Sequence, residues 1–374
     1  SDAPTFKNTI AAMEKTGVIL DRVSRVFFAL TSADTNDELE AIYSDMAPKL
    51  AAHSDAIYLN PALFQRIKTV YNQRNDLALD AESLRLVEIN YRDFVRSGAN
   101  LNEEQKQSLR EMNTKLAELT TQFDQNVKNE VNDLAVIVDT AKELDGLSEG
   151  AITAAAEAAK SRGLKGKYVI ALMSDSNQPS LASLTNRKLR KRIHEASLSR
   201  GSRGGDFDNR AIFTDLIKVR AQRAELFGYD THAAYDLETQ TAATPEAVNK
   251  RLASLAPAAV RNAKKELNDL QSVVDSEKGD FSVKGYDWKF YTEKVRAERF
   301  NFDVHQLKPY LELNNVLEDG VFFAAEKVFG LTFKERKDLP VYHPDVRVWE
   351  VFDADGSTLA LFIGDFYARE SKSG

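Results

Sequence analysis

Residues 341–364 read VYHPDVRVWEVFDADGSTLALFIG, and no other part of the chain reads as clearly as sheet. Side chains alternate across an extended strand. Val346, Val348 and Phe352 therefore share one face, and Arg347, Trp349 and Val351 the other. Asp355-Gly356 is turn chemistry, because glycine accepts the left-handed backbone of tight hairpins. Leu359, Leu361 and Ile363 continue the alternation on the return strand. Apolar residues on both faces predict a hairpin covered on both sides. The chain ends soon after, at Ser373-Gly374, and such an ending reads as cut rather than finished.

Working outward, the rest is helical in period. Asp37 as N-cap with Glu40 three residues on predicts a capping box, followed by Leu39, Ile42, Tyr43 and Met46. Asn60-Pro61 opens a helix carrying Leu63, Phe64, Ile67, Val70 and Tyr71. Asp80 opens another through Val87 and Phe94, closed by Gly98. Asn102 caps a long one through Leu109, Leu116 and Phe123. These stripes read as core, and no fixed-period repeat makes them a solenoid.

The pattern breaks at Asp133–Val138, a short strand or an extended link. A helix over Ser148–Ser161, an apolar patch at Tyr168–Met173, a loop at Ser174–Pro179 and a helix carrying Arg187–His194 follow. Gly201–Gly205 (GSRGG) lacks both the preceding strand and the Lys-Ser/Thr ending of a phosphate loop, so it reads as a linker or a mobile loop. Helices resume at Asn209, at Thr244-Pro245 and over Trp288–Arg299 and Leu313–Phe329, the last closed by Gly330. The fold class is mainly α, a multi-helix body with a small β-sheet near its C-terminus.

Composition removes whole classes of function. The 374 residues are 43% hydrophobic and 29% charged, with 50 basic against 57 acidic residues and a net charge of -7. That balance speaks against non-specific nucleic-acid binding. Apolar runs such as Val26–Leu30 are too short to span a bilayer. With no cysteine, disulfides and thiol chemistry are impossible, and a metal would need His, Asp or Glu.

The histidines are His53, His194, His232, His305 and His343. His194-Glu195 begins like the His-Glu-x-x-His of zinc peptidases, but Leu198 stands where the second imidazole belongs. His194 is therefore read as a surface residue on a basic helix. His343 near Asp345 reads as a structural pair. Arg187, Lys188, Arg190, Lys191 and Arg192 form the densest basic run. Without interleaved aromatics they read as a solvated helix face. No catalytic and no metal-binding residue emerges from the residues alone.

Three motifs carry a resemblance. They are Arg223–Tyr229 (RAELFGY) with His232–Tyr235 and Ala242–Val248 (AATPEAV); Gln306–Tyr310 (QLKPY) with Leu313–Leu317; and Val341–Asp353 with Gly364–Gly374 (GDFYARESKSG). Together they resemble the thimet-oligopeptidase-like zinc metallopeptidases, nearest their bacterial peptidyl-dipeptidase (dipeptidyl carboxypeptidase) branch. Thr241 departs from the family, which more often has Met there. The resemblance implies an N-terminal half, trimmed at both ends. The family's His-Glu-x-x-His helix and further catalytic residues belong to sequence beyond Gly374, so none is carried onto this chain.

The resemblance also implies a neurolysin-like two-lobed architecture. Residues 1–132 would form the helical part of the first lobe, 133–330 the second, and 331–374 a β segment returning to the first. The intact enzyme would use zinc to release dipeptides from the C-terminus of short peptides. This chain would be inactive alone, hold no zinc, and partner the missing C-terminal half, with no membrane or nucleic acid involved. Ser373 and Gly374 would be the approach to a strand that pairs with substrate backbone. The location implied is cytoplasmic, with the periplasm open. The rival is a non-catalytic helical binding or scaffold module, in which the sheet would be closed by the chain's own helices. In the peptidase reading, Trp349, Phe362 and Phe366 would lie near a surface made to receive the missing half.

Overall fold

Helices begin where a side-chain oxygen replaces the missing intrahelical acceptor. In the computed structural model, which describes residues 2–172, 178, 180–301 and 304–372, Asn60 accepts from the Leu63 N–H at 3.0 Å ahead of helix Pro61–Asn72. Asp80 accepts from Ser83 at 2.8 Å ahead of Ala81–Arg96. Asn102 and Gln105 bond reciprocally ahead of Glu103–Asp133. Thr244 accepts from Ala247 at 3.1 Å ahead of Pro245–Ser276.

One cap differs from expectation. Asn36, not Asp37, accepts from the Leu39 N–H at 2.9 Å, and Asp37 is the first residue of helix Asp37–Tyr58. Asparagine satisfies the same orphan donor and leaves the Asp37 charge inside the first turn, where the helix dipole favours it. Glu40 is then free to take the Thr35 hydroxyl at 2.8 Å and Lys128 at 2.7 Å.

The described residues group into two compact units. One comprises residues 1–31, 35–130 and 199–260. Its core joins Ile10, Phe64, Ile67, Val70, Val87 and Phe94, the stripes read from the sequence. Tyr71 and Tyr91 stack at 3.9 Å beside Phe64. Gly201–Gly205, read as a linker or a mobile loop, is anchored within this unit. Buried Glu130 accepts from the Gly201 N–H and from Arg203 Nε, the latter at 3.0 Å.

The other unit comprises 32–34, 131–198 and 261–374. Val136–Val138 (β1) pairs antiparallel with Tyr168–Ile170 (β2), so the ambiguous segment is a strand. Val136, Val138, Leu144, Leu172, Leu184, Leu189 and Ile193 close over it. The Ser174–Pro179 loop falls outside the described residues apart from Gln178. Leu313–Phe329 is not one regular α-helix: a π-helical stretch at Val316–Phe322 interrupts it, and Gly330 at φ 73° ends it.

Thr332–Glu335 (β3), Arg347–Phe352 (β4) and Thr358–Gly364 (β5) form an antiparallel sheet in that order, with Gly356 at φ 81° in the turn. Trp349 lies opposite both Glu335 and Phe362. Its face is covered by Phe322, which stacks on Phe333 at 4.1 Å and meets Trp349 edge-on. The opposite face is open at its edge: Leu359, Leu361 and Ile363 are 57%, 51% and 55% exposed. Coverage on both sides is therefore incorrect for this chain. Val346 and Val348 are buried on that face, whereas the β5 side chains beside them are more than half exposed. Trp349, expected beside a receiving surface, is 3% exposed and already covered. No described helix is long and apolar enough to cross a membrane.

Candidate functional site

Residues 365–372, after β5, have no regular structure, yet side chains tie them down. Arg369 grips Asp365 through both terminal nitrogens, at 2.8 and 2.7 Å. The same guanidinium donates to the Ala33 carbonyl and lies 3.4 Å from Asp34. The Tyr342 hydroxyl donates to Asp365 at 3.0 Å. Lys372 donates to the Asp365 carbonyl at 2.8 Å, and the Ser371 hydroxyl to Asp34 at 2.6 Å.

The hydrogen bonds from Arg369 hold the Asp365 carboxyl well below the usual carboxylate range, despite its burial. The result is a charged clasp that fixes residues 365–372 directly after the edge strand. Ser373 and Gly374, the expected approach to substrate, lie outside the described residues. The clasp was missed in the sequence. Asp365 and Arg369 have the spacing of a helical ion pair, but no helix is present there, and Asp34 is too distant in the chain for any spacing rule to find.

The basic run departs from the solvated face expected of it. Arg190 is 1% exposed and Asp287 0%. Arg190 and Arg187 both bond the Asp287 carboxylate, at 2.9 Å and 2.8 Å. Arg187 also lies over the Phe281 ring, and Arg190 over Phe290. Burial raises the Asp287 pKa, but the two guanidinium groups outweigh it and leave the carboxyl below its ordinary value. Lys188, Lys191 and Arg192 remain exposed.

His194 is likewise not a plain surface residue. It meets Tyr286 edge-on at 6.1 Å and packs against Gly285. His343 accepts the Asp345 backbone N–H at Nδ1, 3.2 Å, with the Asp345 carboxylate 3.6 Å away. His53 is exposed. His232 is half-buried, with its pKa lowered by burial and by nearby arginines. Among the described residues no three His, Asp or Glu side chains come together as a metal site. These residues do not fit a zinc ion.

The model of peptidase family M3 matches residues 180–374. Dipeptidyl carboxypeptidase of Salmonella typhimurium is 46% identical over 372 residues, covering 100% of this chain and 55% of its own length. That of Escherichia coli is 46% identical over 371 residues, covering 99% and 54%. Oligopeptidase A of Escherichia coli is 29% identical over 374 residues, covering 99% and 55%. The chain spans about half the length of the curated relatives it matches.

Proposed function

This chain belongs to peptidase family M3, and from that premise we propose that it is the N-terminal part of a zinc-dependent peptidyl-dipeptidase. The complete enzyme removes dipeptides from the C-terminus of short peptides. This portion shapes the substrate channel, is inactive alone, and receives the C-terminal half as its partner. Residues 1–132 and 331–374 contribute to one lobe and 133–330 to the other, with Ser373 and Gly374 leading to the strand that pairs with substrate. Zinc belongs to polypeptide outside the described residues. The complete enzyme is proposed to act in the cytoplasm, which cell fractionation checks.

The observation that carries this reading is the open apolar sheet face at Leu359, Leu361 and Ile363. A self-sufficient scaffold module has reason to close such a face, because exposed contiguous apolar surface marks an interaction site. Further polypeptide covering it accounts for its composition. Supporting this, apolar residues are also exposed on helix Val18–Ala33, where Ile19, Val23 and Val26 face solvent.

Two measurements test the proposal. Sequencing the gene past the codon for Gly374 should reveal a His-Glu-x-x-His segment in frame. The 374-residue chain, purified alone, should retain no stoichiometric zinc and leave an unblocked tetrapeptide intact. Cleavage by this chain alone would sink the assignment of the chemistry to the absent half.

A further inference from the structure

A polar pocket of about 260 Å³ lies in the unit that holds residues 35–130 and 199–260, walled by Ser54, Asp55, Tyr58, Ser97, Asn113 and Arg223. Its lining carries charges of both signs, Asp55 and Arg223, and each is left short of a partner. Asp55 is 7% exposed, and its side chain's only hydrogen bond among the described residues comes from Asn113 Nδ2 at 2.7 Å. Arg223 and Arg110 act on that carboxylate electrostatically, with no hydrogen bond between them. Arg223 Nε is buried and has no hydrogen-bond partner among the described residues.

An unpaired buried donor and a half-paired buried carboxylate are costly unless something enters to satisfy both. A simple anion would meet Arg223 but be repelled by Asp55. A simple cation would meet Asp55 and be repelled by Arg223 and Arg110. A small molecule carrying both charges suits both groups, and the Ser54, Ser97 and Tyr58 hydroxyls can serve its remaining polar atoms.

We propose that this pocket binds a compact zwitterion, an α-amino acid or short peptide with free ends, its ammonium on Asp55 and its carboxylate on Arg223. Burial pushes the Asp55 carboxyl upward despite the nearby arginines, and a bound ammonium would draw it back down. The site rests on residues of this unit alone and does not depend on the peptidase reading.

The test is made on the complete protein, with L-alanyl-L-alanine as the probe and hydrogen–deuterium exchange as a local readout. Saturating probe should protect the segments 51–58 and 110–116, and Asp55→Asn and Arg223→Met should each weaken that effect by at least about tenfold. On the unaltered protein, acetylating the probe's amine or amidating its carboxylate should weaken it comparably. This second arm decides the matter even if a variant fails to fold. Absence of protection in these segments at saturating probe overturns the proposal. So does equal protection by the blocked probes, or by acetate alone. Peptidase activity is scored in a separate assay, so failure of one idea is not failure of the other.

Discussion

Arg190 and Asp287 form an ion pair sealed from solvent, with Nη2 2.9 Å from Oδ1 and both residues essentially unexposed. The same guanidinium donates to the Leu184 carbonyl at 2.8 Å and the Thr185 carbonyl at 3.2 Å. The pair thus joins helix Arg187–Leu198 to helix Gly285–Phe300 and to the turn preceding the first of them.

Removing one partner strands the other's charge. Asp287→Ala should cost roughly 3–5 kcal/mol, the usual penalty for a broken buried pair. Urea unfolding of the variant and the parent measures it. A loss under about 1 kcal/mol would mean that water reaches Arg190.

The pair also predicts acid sensitivity. Asp287 has a lowered pKa in the folded state, so its stabilisation is complete above the unfolded aspartate value of about 3.9. It is lost as pH falls through the lower folded value. Asp365, lowered by Arg369, has the same sign. The urea midpoint should therefore drop below about pH 4, and Asp287→Asn should flatten that decline. An unchanged decline in the variant would assign it to other carboxylates.

Gly285 meets His194 so closely that an added Cβ would lie 2.8 Å from Nε2. Gly285→Ala should destabilise by about 1–3 kcal/mol through overpacking. His194→Ala should remove most of that penalty in the double variant. Simple additivity in the cycle would show the contact to be absent.

On the open sheet face, Leu361→Thr with Ile363→Thr should change the stability of the 374-residue chain by no more than about 1 kcal/mol, because both side chains are more than half exposed. Self-association of that chain, followed by sedimentation velocity, should fall. Association undiminished by the pair of changes would place the sticky surface elsewhere.

Arg369→Gln should loosen residues 365–372, costing about 1.5–3 kcal/mol for its charge-assisted bonds. Faster proteolysis between Asp365 and Lys372 reports it. Cleavage at the parental rate would show that Lys372 and Tyr342 hold the segment without it.

The helical architecture was legible because its signals are local. Asn60, Asp80, Asn102 and Thr244 announce their helices within three residues, and Gly356 marks its turn. The alternation along each strand of the hairpin was equally plain, but which face is wet was not. That depends on Phe322, which covers the Trp349 side from a helix well upstream. Arg187 and Arg190 were misread for a similar reason. A basic helix looks solvated until Asp287, about a hundred residues later, is folded against it. Of the candidate site, the motif around Asp365 and Arg369 was visible as letters. Its function as a clasp was not, since Asp34 enters from the far end of the chain.

Glu130 holding Gly201 and Arg203 means that residues 131–198 depart and come back through one doorway. An excursion anchored at its mouth can lengthen, shorten or be exchanged over generations while the path on either side of the anchor stays as it was. Variation in family members should accordingly gather inside that loop of chain, with the acid and its two clients inherited together.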